Sequence, residues 1–312
     1  MTTEAERDAL LAKLSEGIAD LTSSDNWRQY LQIQAQFPHY SARNAMLILC
    51  QDPYATRVAS YRRWQSMGRQ VQKGQHGLSI LAPLIYQQIN EETGEKQGAI
   101  KGFRLVSVFD VAQTEGDPLP EITTKLLGND PDGLFDHLSQ VARGLGFTVT
   151  DATFEDERNG DCNHESMMIR VKRDNAPAQR VKTLAHELGH AMLHCTPADR
   201  IERTLCELEA ESVAYVVCQS LGLETSDYSF GYVAGWAGDA EKAQELIMAS
   251  ASRIQKSANA IVSQVEEAVE VFAVAQGVGQ VGAVSTGAVA RTIETHFTPS
   301  DDGLVSAPAL GL

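Results

Sequence analysis

A chain of 312 residues has room for two domains, and its 43% apolar and 21% charged content is that of an ordinary globular protein, which excludes a fibrous or disordered polypeptide. The formal net charge of −15 excludes a uniformly basic surface of the kind that coats nucleic acid. Cys50, Cys162, Cys195, Cys206 and Cys218 are odd in number and show no C-x-x-C pairing, which argues against a disulfide framework and for reduced thiols in a cytoplasm.

The start, MTTEAERDALLAKLSEGIADL, is acidic and amphipathic and lacks the basic and continuous apolar regions of a secretory signal. Helix is expected to about Leu49, with Ser41 capping SARNAMLILCQ ahead of the break DPYAT. SYRRWQSMG predicts a short helix closed by Gly68, and RQVQKGQHG a turn-rich basic loop. LSILAPLIYQQ from 78 and FRLVSVFDVAQ from 103 predict two strands, with INEETGEKQGAIKG as their hairpin connection. The stretch 114–133, dense in Pro, Gly and acids, is the best domain boundary.

The second half reopens with a helix over 133–144, then the strand FTVTDATF, a polar excursion EDERNGDCNH and the strand SMMIRVKRD. One helix begins near Pro177, whose ring suits a first turn, and another runs from about Ile201 to Leu221 and stops at Gly222. AEKAQELIMASASRIQKSANAIVSQVEEAVEVF supplies the last helix. VFAVAQGVGQVGAVSTGAVA, 271–290, is uncharged and as long as a membrane span, but its Gly, Ala and Gln content reads as a low-complexity tail. The expected class is α+β, with a small N-terminal α+β domain over 1–117, a linker over 118–132, a mainly helical domain with a short sheet over 133–273 and a disordered tail over 274–312.

The chemistry concentrates in TLAHELGHAMLH, 183–194. A helix advances about 100° per residue, so His186, His190 and His194 share one side while Val181, Leu184, Leu188, Ala191, Met192 and Cys195 face the core. Two imidazoles one turn apart can reach one ion, and Glu187, offset by one residue, suits a general base over an activated water better than a ligand. A zinc site needs a third protein ligand. The next helix offers CELEAES, in which Glu207 and Glu211 share a face and Glu209 points elsewhere. Glu207 is therefore the expected ligand and Glu211 the group behind a ligating histidine. His194 and Cys195 are the runner-up ligands, and a solvated charged face is the alternative for the acids.

HELGHAMLH followed by ELEAESVAY resembles the zinc peptidases of the ImmA/IrrE group and the C-terminal domain of ArdC-type antirestriction proteins, over about 130–255. The resemblance implies a zincin-like metallopeptidase domain with His186, His190 and Glu207 holding Zn2+, Glu187 as the base, and an unidentified protein or peptide as substrate. It also implies that SMMIRVKRD is the edge that takes an extended peptide by strand addition. Tyr215, Tyr228 and Tyr232 are available to steady an oxyanion, with nothing to choose among them.

The acidic average conceals a basic region. Between Asn26 and Asn90 the cations are Arg28, Arg43, Arg57, Arg62, Arg63, Arg69 and Lys73, and the one acid is Asp52. HYSARNAMLIL, ATRVASYRRWQSMGRQVQKGQHG and VFDVAQTEG together resemble the N-terminal single-stranded-DNA-binding domain of ArdC-like proteins, over about 26–117. Cations that track phosphates and aromatic faces that stack on bases are what single strands require. The candidates are Tyr40, Arg43, Asn44, Arg57, Arg62, Arg63, Trp64, Arg69 and Lys73, with Tyr61 beside them; burial is the alternative for each aromatic, and a structural hydrogen bond for Asn44. By resemblance, the whole is a single-stranded-DNA-binding protein of mobile elements with a zinc peptidase domain that protects incoming DNA from restriction. A regulatory peptidase that cuts a repressor and a DNA-binding protein with structural zinc are the competing readings.

Overall fold

A computed structural model describes residues 4–21, 23–89, 96–119, 131–195, 203–223 and 240–275. The class is α+β. Three helices open the chain: α1 (Glu4–Asp20), α2 (Ser24–Gln36) and α3 (Ala42–Gln51). Ser23 and Ser41 cap the second and third, each accepting from the backbone N–H three residues on.

The central region is built on β1 (Val58–Ser60), α4 (Tyr61–Ser66), β2 (Arg69–Val71), β3 (Leu78–Ile89), β4 (Lys96–Asp110) and β5 (Thr114–Gly116). β3 and β4 form the expected hairpin, but their pairing runs on to Ile89 and Lys96, so 96–102 of the expected connection is strand; β1 adds to β4 in the order β1-β4-β3, and β2 pairs with β5 as a separate ribbon. The basic loop thus begins as a strand. β3 would present an open edge, and α3 covers it with amides instead of a further strand. Asn44 exchanges two hydrogen bonds with the backbone of Leu81, and Gln51, two turns along, does the same with Ser79.

The remainder comprises α5 (Pro131–Gly144), β6 (Thr148–Ala152), β7 (Gly160–Asn163), β8 (Met168–Lys172), α6 (Pro177–Leu193), α7 (Arg203–Ser220) and α8 (Ala240–Ala275). β7 lies inside the stretch expected to be a polar excursion. GDCN carries no β-branched residue, and its strand conformation comes from pairing with β8 and from the face of α6 beneath it. The sheet order is β6-β8-β7, parallel between β6 and β8 and antiparallel between β8 and β7.

One apolar cluster runs from Leu14 and Leu47 through Leu188 and Val216 to Ile254, so helices from both ends of the chain share a core. Trp27 of α2 donates its indole N–H to Ser212 of α7, and Gln34 reaches the Ala251 carbonyl and the Gln255 side chain on α8. The boundary read from composition falls, over 120–130, outside the described residues, as does the tail beyond Ala275. Among the described residues no helix is long and apolar enough to cross a membrane.

Candidate metal centre

α6 carries the histidine motif because its apolar positions, Val181, Leu184, Leu188 and Ala191, are buried along one side and leave the imidazoles on the other. The glycine inside HELGH has a packing role: a Cβ on Gly189 would lie 2.9 Å from the Cα of Ala210. Its absence lets α6 and α7 close on each other, and Glu207, three residues before Ala210, comes within reach of the histidines.

His186 Nε2 and His190 Nε2 are 3.1 Å apart, and Glu207 Oε2 lies 3.5 Å from the first and 3.6 Å from the second. A tetrahedral ion with ligands at about 2.0–2.1 Å has ligand–ligand edges of about 3.3–3.4 Å. The three observed edges bracket that length. Among the described residues this trio is the group of imidazole, thiol and carboxylate side chains close enough to share an ion. The electrostatics agree with the spacing. Burial opposes a charge on His186, but Glu207 and Glu211 outweigh it and push its pKa up to about 9. The two imidazoles hold the Glu207 carboxyl well below the usual carboxylate range. The site is built for positive charge at its centre, and two imidazoles with one carboxylate are a donor set that suits a divalent cation.

Behind the trio each ring is held from its far side. Glu211 Oε2 accepts from His186 Nδ1 at 3.0 Å, and its other oxygen meets Lys182 Nζ at 3.1 Å. Burial tends to raise the Glu211 carboxyl, and His186 and Lys182 bring it below its ordinary value instead. On His190 the corresponding nitrogen meets His194 Nδ1 at 3.0 Å, and His194 Nε2 meets Glu209 Oε2 at 3.2 Å. Glu209 also accepts from Ser250 Oγ at 2.5 Å and pairs with Arg253, both on α8. His194, a runner-up ligand by spacing, is thus turned away from the trio, and Cys195 is exposed with its thiol on the Ala191 carbonyl. The helical phase of Glu209 was a legible signal that it serves another partner; the identity of that partner was not.

Glu187 is buried, and burial pushes its carboxyl up to about 7 against the pull of His186. Gly160 of β7 packs directly over it, where a Cβ would come within 2.9 Å of Glu187 Oε1. A cleft of about 1040 Å³ opens above these groups, bounded on one side by Gly160, Asp161 and Cys162 and on another by Lys182 and Arg203. The edge facing the cleft is therefore β7. β8, expected to be that edge, is the central strand, and both its sides are already paired. Tyr215 is buried and interacts with Gln32 and Arg28 on α2, away from the cleft, and Tyr228 and Tyr232 lie outside the described residues.

The basic region divides. Trp64 is 1% exposed and donates its indole N–H to the Phe109 carbonyl, so its ring is core and the expectation that it stacks on a base is corrected. Asn44 exchanges two hydrogen bonds with the Leu81 backbone, the structural role that is the alternative to a nucleic-acid contact. Tyr40 is half-buried, donates to the Val58 carbonyl, and has its hydroxyl pushed up to about 12 by burial. Arg69 is spent on Thr114, Gly116 and Asp117, where it ties β2 to β5. Arg57 is half-buried beside Asp110, which accepts from its backbone N–H. Arg43, Arg62 and Lys73 are exposed, and Arg63 is half-exposed. Beside Lys73 a second cleft, about 500 Å³, is lined by Tyr61, Phe109, Gln70 and Gln72, with Tyr61 and Phe109 edge to face at 6.4 Å. Phe109 was not among the sequence candidates, because a strand aromatic carries no mark of which side it faces.

Residues 4–109 match the N-terminal domain of anti-restriction factor ArdC, and residues 142–218 match the IrrE N-terminal-like domain of the M78 peptidases. A curated relative, the uncharacterized protein pXO2-81 of Bacillus anthracis, is 22% identical over 311 residues, covering 85% of this chain and 53% of its own length. The chain thus spans about half the length of that relative. Two crystal structures of the antirestriction ArdC protein from the R388 plasmid are similar at 22% identity. The metal-free form has a TM-score of 0.48 and covers 73% of this chain and 86% of its own; the Mn(II)-bound form has 0.47, with 72% and 85%.

Proposed function

We propose that this chain, which joins an ArdC-type N-terminal domain to an IrrE-type metallopeptidase domain, is a zinc-dependent peptidase that also holds single-stranded DNA, in the service of antirestriction on mobile elements. The observation that carries the catalytic half is the convergence of His186 Nε2, His190 Nε2 and Glu207 Oε2 at tetrahedral spacing under an open cleft. Zinc held there supplies a Lewis acid that polarises a carbonyl and brings the pKa of water towards neutrality. Glu187, buried beside the two histidines with its carboxyl raised by burial, would accept a proton from a water in the cleft on a side-chain oxygen and hand it to the leaving amide nitrogen. β7 supports an extended peptide along its free side, with Gly160 leaving room for Glu187 beneath.

The DNA half is supported by the exposed cations Arg43, Arg62 and Lys73, with Arg63 beside them, and by the Tyr61–Phe109 cleft, where a base can stack next to a lysine that meets its phosphate. A negatively charged chain can bind a polyanion through such a local patch, and the affinity will weaken steeply with salt.

Elemental analysis with a peptide-library digest tests the catalytic half. Wild-type protein should hold about one zinc per chain at saturation, and His186→Ala and Glu207→Ala should lose it. Glu187→Gln should keep the metal and lose cleavage by about 10²–10⁴-fold. Metal retained by Glu207→Ala, or cleavage retained by Glu187→Gln, overturns the assignment. A salt-independent or absent affinity for single strands overturns the DNA half.

A further inference from the structure

The two histidines proposed as ligands are held in different ways. Behind His186 stands a carboxylate directly; behind His190 stands a second imidazole, and the carboxylate comes one step later. We infer that His194 is a positioning residue for the metal site, reading the Nδ1 proton of His190 and anchoring it through Glu209 to α8. This inference rests on the reading of His186, His190 and Glu207 as ligands.

The Nε2 atom of His190 faces the trio, so ligation through it leaves the remaining proton on Nδ1. That N–H needs an acceptor, and the atom 3.0 Å away is His194 Nδ1. An imidazole that accepts at Nδ1 carries its proton at Nε2, and there, at 3.2 Å, lies a carboxylate oxygen of Glu209. Each link therefore has one donor and one acceptor, running outward from the metal position to an anion. The anion is in turn neutralised by Arg253 and bonded by Ser250, so the chain ends on a fixed charge pair. None of these three groups is loose: His194 and Glu209 are 4% and 2% exposed, and Ser250 is 1% exposed.

The backbone explains how His194 gets there. It is the residue that ends α6, with φ −125 and ψ 35, and its own N–H still bonds to the His190 carbonyl. The four-residue spacing brings its ring alongside that of His190, centroids 5.1 Å apart, while the departure from helix turns it away from the cleft centre towards α7. A bland alternative is a buried polar pair that merely fills space. It requires no particular order of donors and acceptors, and this difference is testable.

Zinc affinity should be measured by competition with a chromophoric chelator in His194→Leu and His194→Gln. Leucine can neither accept from His190 nor donate to Glu209, whereas the glutamine amide can do both. His194→Leu should bind zinc about 10–100-fold more weakly than wild type, and His194→Gln within about threefold of it, the difference between two variants of similar bulk being what a space-filling role would not produce. Equal affinity of all three proteins overturns the inference. Should the leucine variant fail to fold, long-range ¹H–¹⁵N correlation on zinc-loaded wild-type protein remains. It should show His190 protonated at Nδ1 and His194 at Nε2, and a His194 proton at Nδ1 overturns the inference. Wild-type protein that binds no zinc is a distinct result, which removes the metal reading itself.

Discussion

The two motif-rich regions put their polar side chains to opposite uses. Around α6 and α7 the acids and imidazoles partner one another: His186 with Glu211 at the cleft, and His190 with His194 and His194 with Glu209 in a chain that leads from the cleft into the interior. In the N-terminal motifs the polar groups partner the backbone. Asn44 and Gln51 satisfy β3, Asp110 accepts from the N–H groups of Thr56, Arg57 and Ala112, and Gln113 donates to the His76 carbonyl. A motif residue whose partners are peptide groups is holding the chain in shape. One whose partners are other titratable side chains facing a void is part of a site.

The largest expected effect that can break this contrast is at Trp64. If its ring belongs to the core, Trp64→Ala should cost about 3–5 kcal/mol of stability in urea denaturation, as large aromatic truncations do. DNA affinity of the fraction that remains folded should stay near wild type. A stable variant that has lost single-strand binding would return the indole to the DNA surface.

Gly160→Ala probes the site from its roof. The added methyl would lie 2.6 Å from Thr183 Cγ2, 2.8 Å from the Arg170 carbonyl and 2.9 Å from Glu187 Oε1. The carbonyl is part of a paired strand and cannot withdraw, so the overpacking should cost about 1–3 kcal/mol. Displacing Glu187 should also reduce peptide cleavage by at least about tenfold, since a misplacement of about 1 Å can cost far more. Zinc content should be unchanged, because the atoms nearest the added methyl belong to Thr183, Arg170 and Glu187. Loss of metal together with activity would mean that β7 supports the ligands and not the base.

How much of this was legible follows from where each interaction lives. His186, His190 and Glu187, the proposed ligands and base, sit on one helix, so the 3.6-residue period places them without knowledge of anything else, and the phase of Glu207 and Glu211 on α7 needs only the assumption that two consecutive helices pack. The His194 relay was not legible, because it depends on a non-helical cap residue and on α8, some forty positions beyond Glu209 in the chain. The same limit misled the expectation for β8: SMMIRVKRD is apolar enough for a strand, but apolarity is also what makes it central, while the polar GDCN is the edge strand that lines the cleft. In the basic region the motifs were visible and the family pattern with them, yet whether Arg69 faces a phosphate or the Thr114 carbonyl is decided by the β2–β5 pairing, which three-residue strands do not announce.

The smallest effect on stability, and the sharpest for the comparison, is expected from Arg62→Ala with Lys73→Ala. Both side chains are exposed, so the double variant should keep its unfolding free energy to within about 0.5 kcal/mol. Its DNA behaviour should change in a specific manner. Each phosphate contact on a single strand contributes about 0.7 to the slope of log affinity against log salt, so losing two should flatten that slope by about 1.4. Arg69→Ala is the control from the same stretch. Its guanidinium is bonded to Thr114, Gly116 and Asp117, and removing it should lower stability by loosening the β2–β5 ribbon while leaving the slope unaltered. An Arg69 variant that flattened the slope as much as the double variant would show that residues engaged with the backbone also bind phosphate, and the division of labour between the two regions would fail.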